Sequence, residues 1–438
     1  MRHLMRNFVC LATGSLLLFG AAAMAMAAGQ QEPVEAEPYD PDQEYELSIG
    51  VFGDLEAAYS QVFDSPEFEE EFPNVDISFE AAEHGAHHDR LTTVLAAGEA
   101  TNDIEAVEVE YIAAFVEEGA LTDLTRDPFN ADDYVDDLVD FAVSNAMTRD
   151  GELIAVPVDI APAVLFYRED LIEEAGYTAE DIETLEDWDE FIEVAQDVDA
   201  LGDNIYGIPD AHYLWEIPLY GGKGGWFHPD TEDPLEPRER FIETLELVRD
   251  AREAGIDARV EEWTEPWEEA HRAGGELEVA FQPNGAWFGG ALRDWMAPDT
   301  EDWRAAWLPG QEPASLGGSY LAIPEQVPPE KQGVAWEIVR YLTTSEHAQL
   351  TTLQTIDAFP ANIALFDHEI MDEPEPYYGG QQARQIFRDV ALDIPEQRVS
   401  EYDSLAVDIF DGAVERVLEG TPVEDAYQRA LDEILATM

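Results

Sequence analysis

Cysteine is almost absent from this sequence. Its single copy, Cys10, lies inside the apolar stretch Phe8–Phe19, ahead of the segment "AAAMAMAAG". A lipid-attachment cysteine would follow such a stretch, so the position argues against a lipoprotein. A chain cut near Ala25-Met26-Ala27 carries no cysteine, which excludes disulfides and thiolate metal sites. At 438 residues the chain can bury a sizeable core without such staples.

Positive charge is scarce. There are 22 Lys and Arg against 97 Asp and Glu, a formal net charge of −75, and the only lysines are Lys223 and Lys331. That balance disfavours a nucleic-acid or anionic-membrane partner, both of which need basic contacts. It is the composition expected of a protein adapted to a saline milieu, where salt screens the repulsion between surface carboxylates. High net charge also accompanies disorder, but 45% hydrophobic and 11% aromatic residues argue for a packed core.

Long apolar runs and catalytic signatures are missing as well. Beyond Phe8–Phe19 no stretch approaches the roughly 20 residues of a membrane-crossing helix. With Arg2, His3 and Arg6 before it, that run reads as a cleaved secretory leader over residues 1–27, the alternative being a retained anchor. The protein is therefore expected to be secreted, periplasmic or extracellular. No G-x-S-x-G, H-E-x-x-H, P-loop or post-strand G-x-G-x-x-G occurs. Paired carboxylates cannot be singled out where acids are everywhere.

What is present begins with a polar, Pro-rich tether over residues 28–43. Strand and helix patterns then alternate: "YELSIGVFGD", "VDISFE", a helix around "HDRLTTVLAAGE", the buried strand "DIEAVEV" and the helix "YIAAFVEEGA". Such alternation predicts an α/β fold with a mostly parallel sheet. Asp187 and Glu190 form a capping-box pattern ahead of Trp188, Phe191, Ile192 and Ala195, one apolar stripe. Ala335, Ile338, Val339 and Leu342 repeat that stripe. Thr421-Pro422 opens a last helix bearing Val423, Tyr427, Ala430 and Ile434 on one face.

The segment "GELIAVPVDIAPAVLFYREDLIEEAGY" (residues 151–177), followed by "TLEDWDEFIEVAQDV", "GGKGGWF", "VAFQPNGAWFGG", "WRAAWLPG", "GGSYLAIPEQV", "AWEIVRYLTTSEHAQ" and "FPA", resembles the extracellular sugar-binding receptors of ABC importers. The resemblance covers nearly the whole mature chain. It implies a two-lobed periplasmic-binding-protein fold with three hinge crossings and a ligand cleft between the lobes. The implied bounds are 44–157 with 320–395 for one lobe, and 158–319 with 396–438 for the other. By the same analogy the second crossing lies near "GGSY" and the third near "VSEYDS". The implied activity is capture of a carbohydrate, mono- or oligosaccharide, for a membrane-embedded ABC permease. A monomer without cofactor or catalytic residues is expected.

Several residues are candidates for sugar contact. Asp159, between Pro157 and Pro162, would sit at the cleft floor beside the first crossing, where a carboxylate can accept two hydroxyl hydrogen bonds. The alternative, less favoured, is a turn-stabilising residue hydrogen-bonded to backbone. Trp287, set between glycines in "NGAWFGG", corresponds to a sugar-stacking tryptophan of the family. Trp215, Trp226 and Tyr402 occupy similar loop positions, against the alternative of core packing. Gly317 and Gly318 suggest close backbone approach, with Ser319 as a hydroxyl donor. Asp54, Glu110 and Tyr111 follow strand ends, where open α/β sheets bind ligands.

His84 and His88 share an i,i+4 spacing that suits a metal, but Gly85 weakens a helix there and no further ligand motif accompanies them. Solvated histidines are the expectation. Lys223, Arg168 and Arg293 are the few basic residues available to an anionic ligand, so a neutral sugar is preferred. A polysaccharide hydrolase or lyase and a receptor for a non-sugar solute remain as alternatives.

Overall fold

The computed structural model describes residues 36–438 except 100–101, 117–118, 149, 222–224, 229–230, 397–399 and 401. The leader, the start of the tether and Lys223 lie outside the described residues. The end of the tether is packed: Tyr39 donates to Asn74 Oδ1 at 2.6 Å and the Glu37 amide to the Pro329 carbonyl at 2.9 Å. No described helix is long and apolar enough to cross a membrane.

Twelve strands organise the described residues. The first four are β1 (Tyr45–Phe52), β2 (Val75–Ala82), β3 (Ile104–Glu108) and β4 (Val156–Pro157). Next come β5 (Asp159–Ile160), β6 (Ala163–Arg168), β7 (Ile205–Tyr206) and β8 (Glu278–Val279). The last are β9 (Phe281–Gly285), β10 (Trp303–Ala306), β11 (Ser319–Ala322) and β12 (Phe359–Pro360).

The first lobe is built on a sheet ordered β2-β1-β3-β11-β4, in which β1 runs parallel to β2 and β3 while β11 runs antiparallel to β3 and β4. Tyr45, Leu47, Ile49 and Val51 alternate into the core along β1, the period a half-covered strand requires. The helices Leu55–Phe63, His84–Ala96 and Pro329–Thr344 pack on it.

The second lobe centres on the antiparallel sheet β10-β6-β9, with β7 and β8 paired parallel beside it. β6 is buried on both faces. Val164 and Phe166 point to one apolar cluster, Ala163, Leu165 and Tyr167 to the other. Helix Trp188–Asp199 covers the second face, Phe191 meeting Phe281 edge-on at 5.2 Å. Its Asp187 cap accepts from the Glu190 amide as expected, but the Glu190 carboxylate reaches back to the Glu186 amide, one residue earlier than a capping box. The helices Arg238–Ala254, Asp403–Leu418 and Val423–Thr437 complete this lobe, with Val423, Tyr427, Ala430 and Ile434 all inward.

Three passages of chain join the lobes side by side. β12 pairs antiparallel with β5, placing the third passage at Phe359–Pro360 and not near "VSEYDS", of which Val399 and Glu401 lie outside the described residues. The chain next holds to the first lobe, the Val139 amide donating to the Ala361 carbonyl. By Tyr378 and Phe387 it has reached Phe166 of the second sheet, at 6.4 and 6.3 Å between rings. Residues 376–393 therefore pack with the second lobe, whereas the sequence reading keeps everything to 395 in the first. Burial of Phe166 and its neighbours on both faces demands that cover.

Candidate ligand-binding cleft

The cleft floor is the hinge itself. The Val158 amide donates to the Ser319 carbonyl at 2.9 Å, the Ser319 amide to Asp159 Oδ1 at 3.0 Å, and the Leu316 amide to the Ala161 carbonyl at 2.9 Å. The prolines at 157 and 162 thus bracket a crossing zipped to the second one. Gly317 and Gly318 have φ of +107° and +126°, and a Cβ on Gly318 would sit 3.1 Å from the Asp159 carbonyl oxygen. Only glycine fits both demands.

Asp159 is 8% exposed, and its Oδ2 has no hydrogen-bond partner. Burial pushes its carboxyl up to about 7, against the lowering effect of Ser319. Trp287 is tied to the same crossing, its indole Nε1 donating to the Leu316 carbonyl at 2.9 Å. Both residues therefore hydrogen-bond to the Leu316–Ser319 strip. Trp263, 64% exposed, stacks on Trp287 with centroids 5.6 Å apart and planes 12° apart.

The first-lobe wall rises from the end of β3. Glu108 Oε2 accepts from the Glu110 amide at 2.8 Å, and the Glu108 amide donates to His88 Nε2 at 3.0 Å. His88 must then carry its proton on Nδ1, which donates to the His84 carbonyl at 2.8 Å. Tyr111 stacks on the His88 ring at 4.0 Å and 8°. Burial depresses His88 to about 3, so it stays neutral. Helix His84–Ala96 contains Gly85 without interruption, because His87 and His88 both tie it to β3: the ring of His87 meets the Ala106 carbonyl at 2.7 Å.

The second-lobe wall is acidic too. Glu216 is driven well above the ordinary carboxyl range by burial, then by Glu262, Glu110 and Asp411. Glu108 is raised likewise by burial and by Glu110. Glu262 rises to about 7 through burial, although Gln282 Nε2 donates to it at 3.3 Å. Glu110 of the first lobe acts on Glu216 and Tyr220 of the second, and helix Val109–Val116 touches helix Asp403–Leu418. The two walls therefore face each other. Among the described residues no arginine or lysine forms an ion pair with Glu108, Glu110, Asp159 or Glu216. The small cavity bounded by Asp210, Tyr213, Glu262 and Gln282 holds about 10 Å³, room for a water and not for a sugar.

The structure brings Asp159, Gly318, Ser319 and Trp287 together at the floor and Glu110 with Tyr111 at one wall. Asp54 is exposed ahead of helix Leu55–Phe63 and makes no capping bond. Trp215 is a correction. At 3% exposure its ring lies among Trp226, Phe410 and Tyr220, 5.9–6.1 Å away, as part of the second lobe's aromatic core. Trp226 belongs to that core as well. Tyr402 is half-buried, 6.3 Å from Phe227, at the start of helix Asp403–Leu418. Arg168 is spent on a two-pronged pair with Asp170, and Arg293 on Asp294 and Asp357. Sequence reasoning missed Glu108, Trp263, Glu216 and Glu262 as residues of the candidate cleft. Glu108 could have been read from the i, i+2 spacing to Glu110 at a strand end; Trp263 carries no local signal.

Residues 66–375 of the 438 match the family described as bacterial extracellular solute-binding protein. The arabinooligosaccharide-binding protein of Halalkalibacterium halodurans is 25% identical over 84% of this chain and 84% of its own. The lactose-binding protein of Rhizobium radiobacter is 26% identical over 66% of this chain and 68% of its own. A crystal structure of an extracellular solute-binding protein of family 1 superposes with a TM-score of 0.77 at 26% identity, covering 89% of this chain and 98% of the other. Maltose-bound MalE3 of T. maritima gives 0.71 at 20% identity, over 90% and 100%, which speaks for the fold.

Proposed function

The chain belongs to the bacterial extracellular solute-binding family, and on that premise we propose that it captures a neutral carbohydrate between its lobes and delivers it to an ABC permease. Two of its relatives are named as binding proteins, for arabinooligosaccharide and for lactose, and not as enzymes. The observation that carries the sugar reading is the Trp263–Trp287 stack beside the Asp159 carboxylate at the hinge. Pyranose faces present C–H groups that pack on indole, while their hydroxyls seek carboxylate acceptors. Among the described residues no arginine or lysine pairs with Glu108, Glu110, Asp159 or Glu216, so an anionic solute would face unbalanced carboxylates there. Sugar touching both walls would favour the closed arrangement, because the open form contacts it from one side alone.

A thermal-shift screen across mono- and oligosaccharides tests this, since a ligand that binds only the native state raises its melting temperature. At least one neutral sugar should do so. A screen in which only phosphate esters or polyamines stabilise the protein would overturn the reading, as would turnover of an oligosaccharide at catalytic rates.

A further inference from the structure

We infer that the first-lobe wall of the cleft is a binding site for a divalent first-row transition ion, held by His84, Glu108 and Glu110. One donor atom from each lies within 4.8 Å of the others, and His84 Nε2 is 4.0 Å from Glu110 Oε1. Three donors bonded to one metal at roughly 2.0–2.2 Å lie about 3.0–3.8 Å from one another, so an inward shift of about 1 Å completes the set. His84 and Glu110 can supply it, their side chains being 44% and 52% exposed.

The donor set is mixed and comes from two elements. His84 opens helix His84–Ala96, while Glu108 and Glu110 straddle the junction between β3 and the next helix. Two carboxylates balance one divalent ion, and an imidazole selects zinc, copper or nickel over magnesium or calcium, which prefer oxygen alone. One ligand carboxylate is already oriented, Glu108 Oε2 accepting from the Glu110 amide at 2.8 Å, and the backbone on either side is tied down. His88 is locked between the Glu108 amide and the His84 carbonyl, Tyr111 stacks on its ring, and Phe52 meets the His84 ring edge-on at 5.2 Å. With no arginine or lysine paired to Glu108 or Glu110 among the described residues, this wall lacks a positive partner that a bound ion would provide. Three protein ligands leave further positions open, and they can be taken by water or by adjacent sugar hydroxyls. That last point rests on the sugar-receptor reading; the ion site does not.

Calorimetric titration of chelator-treated protein with zinc nitrate tests the site. Sodium nitrate at about 1 M screens diffuse attraction of cations to the charge of −75. Zinc should bind one site at least tenfold more tightly than magnesium, and His84→Ala and Glu110→Gln should each weaken it tenfold or more. Both variants should melt with the wild type when metal-free, since these side chains are half-exposed and outside the core. Equal binding of zinc and magnesium, or zinc binding unchanged in His84→Ala, would overturn the site. Should a sugar bind while zinc does not, the receptor reading survives and the metal site fails.

Discussion

Trp263 and Trp287 lie ring against ring, 12° from parallel, although 24 positions separate them and only Trp287 is anchored by a hydrogen bond. Trp263 adopts a left-handed φ of +61° and stays largely in solvent. A tryptophan left that open, on a backbone conformation rare for its type, is spending stability on presentation and not on packing.

Loss of either ring should therefore weaken sugar binding more than it weakens the fold. Truncation of Trp287 to Ala is expected to cost about 1–3 kcal/mol in affinity, the scale of a lost aromatic contact. Trp263→Ala should cost less, and should leave the melting temperature near that of wild type. Calorimetry with a sugar found by the screen gives both values. Affinity unchanged in Trp287→Ala, or a variant that unfolds, would make it a packing residue.

The carboxyl of Asp159 links the hinge to pH. Burial raises it from 3.8 to about 7, so the folded state prefers the protonated form. A group raised in this way stabilises fully below its unfolded value, and that stability is lost as pH climbs through the folded one. The loss should run from near pH 4 to about 7 and total on the order of 4 kcal/mol. Asp159→Asn keeps an oxygen for the Ser319 amide and removes the titration. Urea denaturation at pH 4.5 and 7.5 should show a smaller drop in the variant than in wild type; equal drops would place the titration elsewhere.

Beside the third passage Asp357 accepts from Arg293 at 2.5 Å and faces Arg384 at 3.6 Å, while Arg384 also faces Glu375 at 3.4 Å. Asp357 ends the first-lobe helix Glu346–Ile356, and both arginines belong to segments packed with the second lobe. Removing a nearly buried partner strands the opposite charges. Asp357→Ala should thus lower stability by about 3 kcal/mol, at the low end for a broken buried pair because Arg293 retains Asp294. A change below about 0.5 kcal/mol in urea denaturation would show the pair to be no more than a surface contact.

Salt should stabilise the whole molecule. With −75 formal charges on 438 residues, raising NaCl from low millimolar to molar screens repulsion and should raise the melting temperature. A flat or falling melting curve over that range would remove the argument for saline adaptation.

Local chemistry in the sequence was enough for the elements. The stripes of helices Trp188–Asp199 and Val423–Thr437 follow from residues within two turns of one another, and Asp187 caps the first as its type predicts. The prolines around Asp159 and the paired glycines at 317–318 announced a constrained crossing, because their allowed φ values are properties of single residues. The site was a different matter. Trp215 and Trp263 both sit near turns in sequence, yet one is sealed into an aromatic core and the other stacks in the open. Apolar neighbours such as Leu214 and Ile217 around the first, and acids such as Glu261 and Glu265 around the second, agree with that difference, but they do not say that Trp263 would lie on Trp287. Likewise His84 gains its carboxylate neighbours only because β3 lies beside β1 in the sheet, and Glu216 feels Glu110 only because the two walls face each other. The period of a helix or strand is written into neighbouring residues; which side chains share a cleft depends on contacts between segments from tens to more than a hundred residues apart, and those exist only once the chain has folded.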